Sequence, residues 1–138
     1  MLRFEPLPNP EETEFLSRED VDFFHEEVLK PGQQRGYKRL DDLLGAIGRP
    51  QSAFYYDNGC DLVRVATYYW HGISTSHGYI DGNKRTGFAS ANNFLLMNGV
   101  RFEAPDLDLG PLVEKLFDEQ RFELDILEDI LRRHCHWA

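Results

Sequence analysis

The sequence predicts a small all-α protein, a compact bundle of about six helices. Apolar residues recur at helical spacing in six separate stretches, and none reads convincingly as a strand. Gly, Pro and Asn-Gly steps fall where those stretches should stop. At 138 residues, with 41% hydrophobic and 28% charged content, the chain suits one domain around a single core.

Residues 1–16 contain Pro6, Pro8 and Pro10 and are expected to form an extended arm. Ser17 followed by Asp20 resembles a capping box that opens a helix running to about Leu29. Val21, Phe24 and Val28 give that helix its apolar face, and Pro31-Gly32 stops it. A short helix is expected over residues 40–47, closed by Gly48 and Pro50. The stretch 51–59 holds Phe54, Tyr55, Tyr56 and the turn former Asn58-Gly59, and reads as a hairpin or small flap outside the helical core.

Residues 61–74 place Leu62, Ala66, Tyr69, Trp70 and Ile73 at helical spacing. Residues 86–97 do the same with Phe88, Ala91 and Leu95, while small Ala89 and Ser90 permit a close neighbour. Asn98-Gly99 is a good stop for that helix. Two further helices, 109–117 and 122–133, finish the chain.

The net charge is −9, unevenly spread. Residues 1–30 carry nine acids against three bases, and residues 102–138 ten against four, whereas the middle of the chain is slightly basic. Acidic ends argue against non-specific nucleic-acid binding, which depends on phosphate neutralisation. No apolar run approaches the ~20 residues that span a bilayer. The N-terminus lacks the apolar stretch of a secretory signal, and Cys60 and Cys135 lie far apart without metal-ligand spacing. A cytoplasmic protein with reduced thiols is expected, with a disulfide as the alternative.

Between the third and fourth expected helices lies His77-Gly78-Tyr79-Ile80-Asp81-Gly82-Asn83-Lys84-Arg85. A polar turn feeding a helix start suits phosphate, because unpaired backbone N–H groups converge there. Histidine, whose ordinary pKa is ~6.5, suits a general base, so His77 is a candidate to take a proton from an attacking hydroxyl. A helix-capping histidine is the structural alternative. Asp81 offers the carboxylate that Mg²⁺ prefers, or else an N-cap. Gly82 and Asn83 allow positive φ and could shape an anion nest. Lys84 and Arg85 bring positive charge to phosphoryl oxygens. Tyr79 and Ile80 are expected to point into the core.

With Thr86 added, this run resembles the signature of the Fic/Doc family in its Doc (death-on-curing toxin) form, His-x-Phe-x-Asp-Gly/Ala-Asn-Lys-Arg-Thr. Leu16-Ser17-Arg18-Glu19-Asp20-Val21 with His25, then Arg49-Pro50-Gln51, and the Phe94–Gly99 helix end resemble other parts of that family, over about residues 15–103. The resemblance implies a compact helical fold that binds ATP-like nucleotides with Mg²⁺ and modifies a hydroxyl of another protein. By matching positions, His77 is implied as the base and Asp81 as the metal-side carboxylate. Gly82, Asn83, Lys84 and Arg85 are implied to hold the phosphates.

General Fic enzymes have Gly at the position of Lys84 and Arg at that of Phe88, and most transfer AMP. Doc proteins share the lysine, and the subfamily is known for phosphorylating a threonine of elongation factor Tu, which halts translation. Kinase activity is therefore the expectation here. Adenylyl transfer and a non-catalytic binding protein are the alternatives. The family also aligns its target by strand addition to a flap, and Phe54, Tyr55 and Tyr56 through Asn58 are the candidates. No Ser/Thr-x-x-x-Glu-Gly/Asn inhibitory segment is present, which implies a separate antitoxin. Two departures stand out. Tyr79 replaces Phe and needs a partner for its hydroxyl if buried, and the terminal His134-Cys135-His136 invites a metal reading.

Overall fold

A computed structural model describes residues 2–7, 9–57 and 60–138. Its centre is helix α3 (Leu62–Thr75), ten of whose fourteen residues are buried, as befits a helix that is apolar nearly all round. Around it, in chain order, stand α1 (Arg18–Val28), α2 (Leu40–Tyr56), α4 (Asn83–Met97), α5 (Leu109–Asp118) and α6 (Leu124–His134). The all-α expectation holds, with six helices among the described residues.

The most extensive packing is α3 on α4. It is tightest at Gly87, where a Cβ would fall 2.1 Å from Ser74 Oγ and 2.8 Å from the Trp70 carbonyl oxygen. The helix at 17–29 forms as its cap foretold: Ser17 accepts the Asp20 N–H and Asp20 accepts the Ser17 N–H.

α2 corrects the reading of residues 40–59. It does not stop at Gly48 but continues through Pro50 to Tyr56. Leu43, Ala46, Ile47 and Pro50 are its buried residues, at spacings 0, 3, 4 and 7, so the ring lies on the core-facing stripe. An interior proline costs ~3 kcal/mol or more, and burial of the ring on this stripe offsets it here. Phe54, Tyr55 and Tyr56 thus form the last turn of a helix rather than a hairpin. Phe54 and Tyr55 pack on Phe15, while Tyr56 is 88% exposed. Asn58-Gly59 of the expected flap lies outside the described residues.

The N-terminal arm is docked, with a 3-10 turn at Pro10–Glu12. Phe4 is fully buried; its N–H donates to the Asp61 carboxylate and its carbonyl accepts the Leu62 N–H. Asp61 caps α3 and is gripped by both Arg132 Nη atoms at 2.8 and 2.9 Å, which staples α6 and the arm to the start of α3. Burial pushes the Asp61 carboxyl up, but the Arg132 fork and the Phe4 and Arg64 N–H groups outweigh it and hold it below the usual value.

Two three-residue strands were not legible in the sequence. β1 (Val100–Phe102) pairs antiparallel with β2 (Cys135–Trp137). This pairing accounts for the His134-Cys135-His136 tail. The His134 Nδ1–H donates to the Ile130 carbonyl, Cys135 is buried, and His136 faces Glu103. The described residues hold no cluster of three or more His, Cys, Asp or Glu fit for a metal, so the metal reading is set aside. Nor is any described helix long and apolar enough to cross a membrane.

Candidate active site

The loop between α3 and α4 is built from both helix ends. Ser76, buried, donates to the Ile73 carbonyl and accepts the Gly78 N–H, which turns the chain sharply at the end of α3. His77 follows with φ +53°, in the left-handed region that commonly ends helices. Few residues other than Gly adopt it, though His does so more readily than most. The result is an exposed imidazole at the mouth of the loop.

At the other end, Gly82 is the N-cap of α4 with φ +85°. Its missing side chain matters twice, because a Cβ would also lie 3.2 Å from Leu29 Cδ2 and 3.4 Å from the His25 ring. Gly82 has no side chain to cap with, and the first helical bond is Thr86 N–H to the Gly82 carbonyl. The N–H groups of Asn83, Lys84 and Arg85 therefore leave the helix end without intrahelical acceptors, the arrangement that attracts anions. α4 starts three residues earlier than the sequence suggested, so Asn83 is helical and Gly82 alone supplies the positive φ.

The loop is held from three sides. The Asn83 side chain accepts the Tyr79 N–H and donates to the Tyr79 carbonyl, both at 2.9 Å. Its amide thus shapes the loop, and what it offers a phosphate is its backbone N–H. From α1, the His25 Nε2–H donates to the Asp81 carbonyl at 2.7 Å, and the His25 ring stacks on Tyr79 at 3.7 Å. A carbonyl only accepts, so His25 must carry its proton on Nε2.

Tyr79 is buried, and its hydroxyl finds the partner it needs in Asp22 at 2.6 Å. The second Asp22 oxygen accepts the Tyr37 hydroxyl, and Arg18 covers the Tyr37 ring. Burial, followed by the bond to Asp22, raises the Tyr79 phenol well above its ordinary value. Ile80, expected in the core, is 42% exposed.

The third support is the segment 36–39. Lys38 and Arg39 N–H donate to the Gly78 carbonyl, Ile80 N–H donates to the Gly36 carbonyl, and Tyr37 bridges Tyr79 antiparallel. The strand-like segment beside the loop is therefore 36–39, before α2, and not 54–56 after it. Sequence reading missed it because 32–39 is polar and carries no period-2 pattern.

Asp81 Oδ2 accepts the Gln34 N–H at 2.7 Å, and its other oxygen makes no hydrogen bond within the described residues. Lys84 reaches α5, 3.3 Å from Glu114 and 4.3 Å from the centre of the Phe117 ring. Arg85 is exposed and has no carboxylate partner among the described residues.

These groups face two cavities. Lys84 and Arg85 line one of about 860 Å³, walled by the end of α1 and by α5. His77 lines another, of about 290 Å³, between the start of α2 and the end of α3.

Fold and loop together define a helical domain that presents a histidine at one helix end and an uncapped, cationic helix start at the next. The sequence model of the Fic/DOC family matches residues 15–95, and the chain belongs to that family. It is similar to "Toxin Doc" of Mycolicibacterium smegmatis, 33% identical over 126 residues, covering 89% of this chain and 85% of that one. It is also similar to "Protein kinase doc" of Escherichia phage P1, 40% identical over 62 residues, covering 44% of this chain and 49% of the phage protein.

Proposed function

We propose that this chain is a Doc-type toxin that transfers the γ-phosphate of ATP to a Ser or Thr hydroxyl of a protein such as elongation factor Tu, and so blocks translation. The observation that carries the reading is the open start of α4, with Arg85 free of any carboxylate partner among the described residues and Lys84 beside it on the wall of a large cavity. A volume of about 860 Å³ falls within the range of small-molecule and cofactor pockets. Leu29, Pro31, Pro111 and Val113 offer apolar surface to a base, and the cations and N–H groups lie where phosphates would sit. The relatives' names, a toxin and a protein kinase, support the same reading.

In this reading His77 takes the proton of the target hydroxyl. The oxygen attacks the γ-phosphorus, the bond to the β-phosphate oxygen breaks, and ADP leaves. Arg85 and the N–H groups of Asn83, Lys84 and Arg85 hold the phosphate oxygens, Arg85 through its fork. Lys84 joins them by exchanging Glu114 for phosphate.

The Asp81 carboxylate has one oxygen fixed by Gln34 and one without a partner among the described residues, which fits an ion that takes one or two protein carboxylates plus phosphate oxygens. Asp81 would hold Mg²⁺, which when bound neutralises phosphate charge. A separate antitoxin is the partner that would restrain the activity in the cell, because no inhibitory segment of the in-chain type is present in the sequence.

Calorimetry with ATP and Mg²⁺ tests the phosphate assignment. The wild-type protein should bind ATP, and Arg85→Glu should abolish binding. Undiminished affinity in that variant would remove the assignment.

A further inference from the structure

We propose that the cavity of about 290 Å³ beside His77 is an acceptor-side subsite, in which Arg49 donates hydrogen bonds to an oxygen of the target segment. This deepens the reading given above and rests on it. The catalytic loop acts as a partition. Its cations line the large cavity, while His77 lines the small one, so donor and acceptor have separate cavities.

The lining of the small cavity suits a polypeptide. Gly45, Ala46 and Gly72 supply a floor without bulky side chains, and Thr75 adds a hydroxyl to the wall. At Gly45 an added Cβ would meet no heavy atom within 4 Å, and the backbone there has no positive φ. Its missing side chain thus serves neither packing nor conformation, and it helps to keep the cavity open. Arg39, on the rim, is engaged by Asp42 at 3.5 Å. Arg49 has no carboxylate partner among the described residues. Its Nη1 lies 3.6 Å from where a Gly72 Cβ would stand, so the absence of that side chain lets the guanidinium rest on α3.

The oxygen held by Arg49 is a main-chain carbonyl or an Asp or Glu carboxylate of the target segment.

Gly45→Gln places a side chain into the open space while favouring the helix. It should fold, bind ATP with wild-type affinity by calorimetry, and raise KM for elongation factor Tu by about tenfold with little change in kcat. Expressed in bacteria, it should arrest growth more weakly than the wild type, a readout that holds whatever the target is. Arg49→Gln should raise the acceptor KM, and Arg49→Lys should restore part of it. Ionic strength separates the two sources. A carboxylate makes the wild-type acceptor KM rise with salt and the Arg49→Gln value stay flat, whereas a carbonyl leaves both equally insensitive. A Gly45→Gln variant that arrests growth fully, with an unchanged acceptor KM, overturns the proposal. A wild-type protein that neither binds ATP nor arrests growth would instead sink the functional reading beneath it.

Discussion

The His25 ring of α1 donates its Nε2–H to the carbonyl of Asp81, 2.7 Å away and 56 residues further along the chain. The same ring lies flat on Tyr79, 6° from parallel, so one side chain fixes both the middle and the end of the loop. His25→Phe keeps the stacking and deletes the bond. It should cost about 1 kcal/mol of stability. If the loop must be held still to work, growth arrest should weaken while the fold survives. Urea unfolding and a growth assay read the two effects separately, and a fully active variant would make His25 a packing residue only.

Tyr79→Phe removes the hydroxyl that donates to Asp22 and converts the position to the residue usual in the family signature. Asp22 keeps Tyr37 and Arg18 as partners, so the loss should stay near 1 kcal/mol. Growth arrest should persist, since no chemistry is assigned to the phenol. A dead variant of normal stability would contradict that.

Gly87→Ala tests the α3–α4 crossing. Its Cβ meets backbone atoms of Trp70 and Ser74 at 2.8 and 3.0 Å, so trimming Ser74 alone cannot relieve it. Destabilisation of about 1–3 kcal/mol is expected, and Ser74→Ala should rescue it only in part. Thermal melts of the single and double variants decide the point.

The Asp61–Arg132 pair should govern acid stability. Its carboxyl is lowered in the folded state, so its contribution is complete above the unfolded value of ~3.9 and disappears as pH falls through the folded one. Asp61→Asn leaves Arg132 buried without its main partner and should cost ~3–5 kcal/mol near pH 7. Stability measured from pH 7 down to 3 should fall at the acid end for the wild type and vary less for the variant.

Much of this was legible because the information was local. The Ser17–Asp20 box announced α1, and the apolar run from Leu62 to Ile73 announced the central helix. The loop was legible for the same reason, since His77 through Arg85 is one unbroken stretch. What the sequence hid depends on distant partners. Pro50 reads as a stop until its burial is known, and that misreading turned the end of α2 into a flap. Phe4 sits in a proline-rich arm, yet it is fully buried beside the Asp61 cap. The strand-like segment at 36–39 exists through hydrogen bonds to Gly78 and Ile80, some forty residues away. The separation of His77 from Lys84 and Arg85 into two cavities follows from where α2 and α5 pack, which no spacing rule encodes.

The most direct test of phosphoryl transfer at this loop is the intact mass of elongation factor Tu, and of other proteins in a bacterial lysate, after incubation with this protein, ATP and Mg²⁺. A target that gains one phosphate with the wild-type chain and none with His77→Ala is the expected result. A target that gains AMP, or is modified equally by the His77→Ala variant, would contradict it.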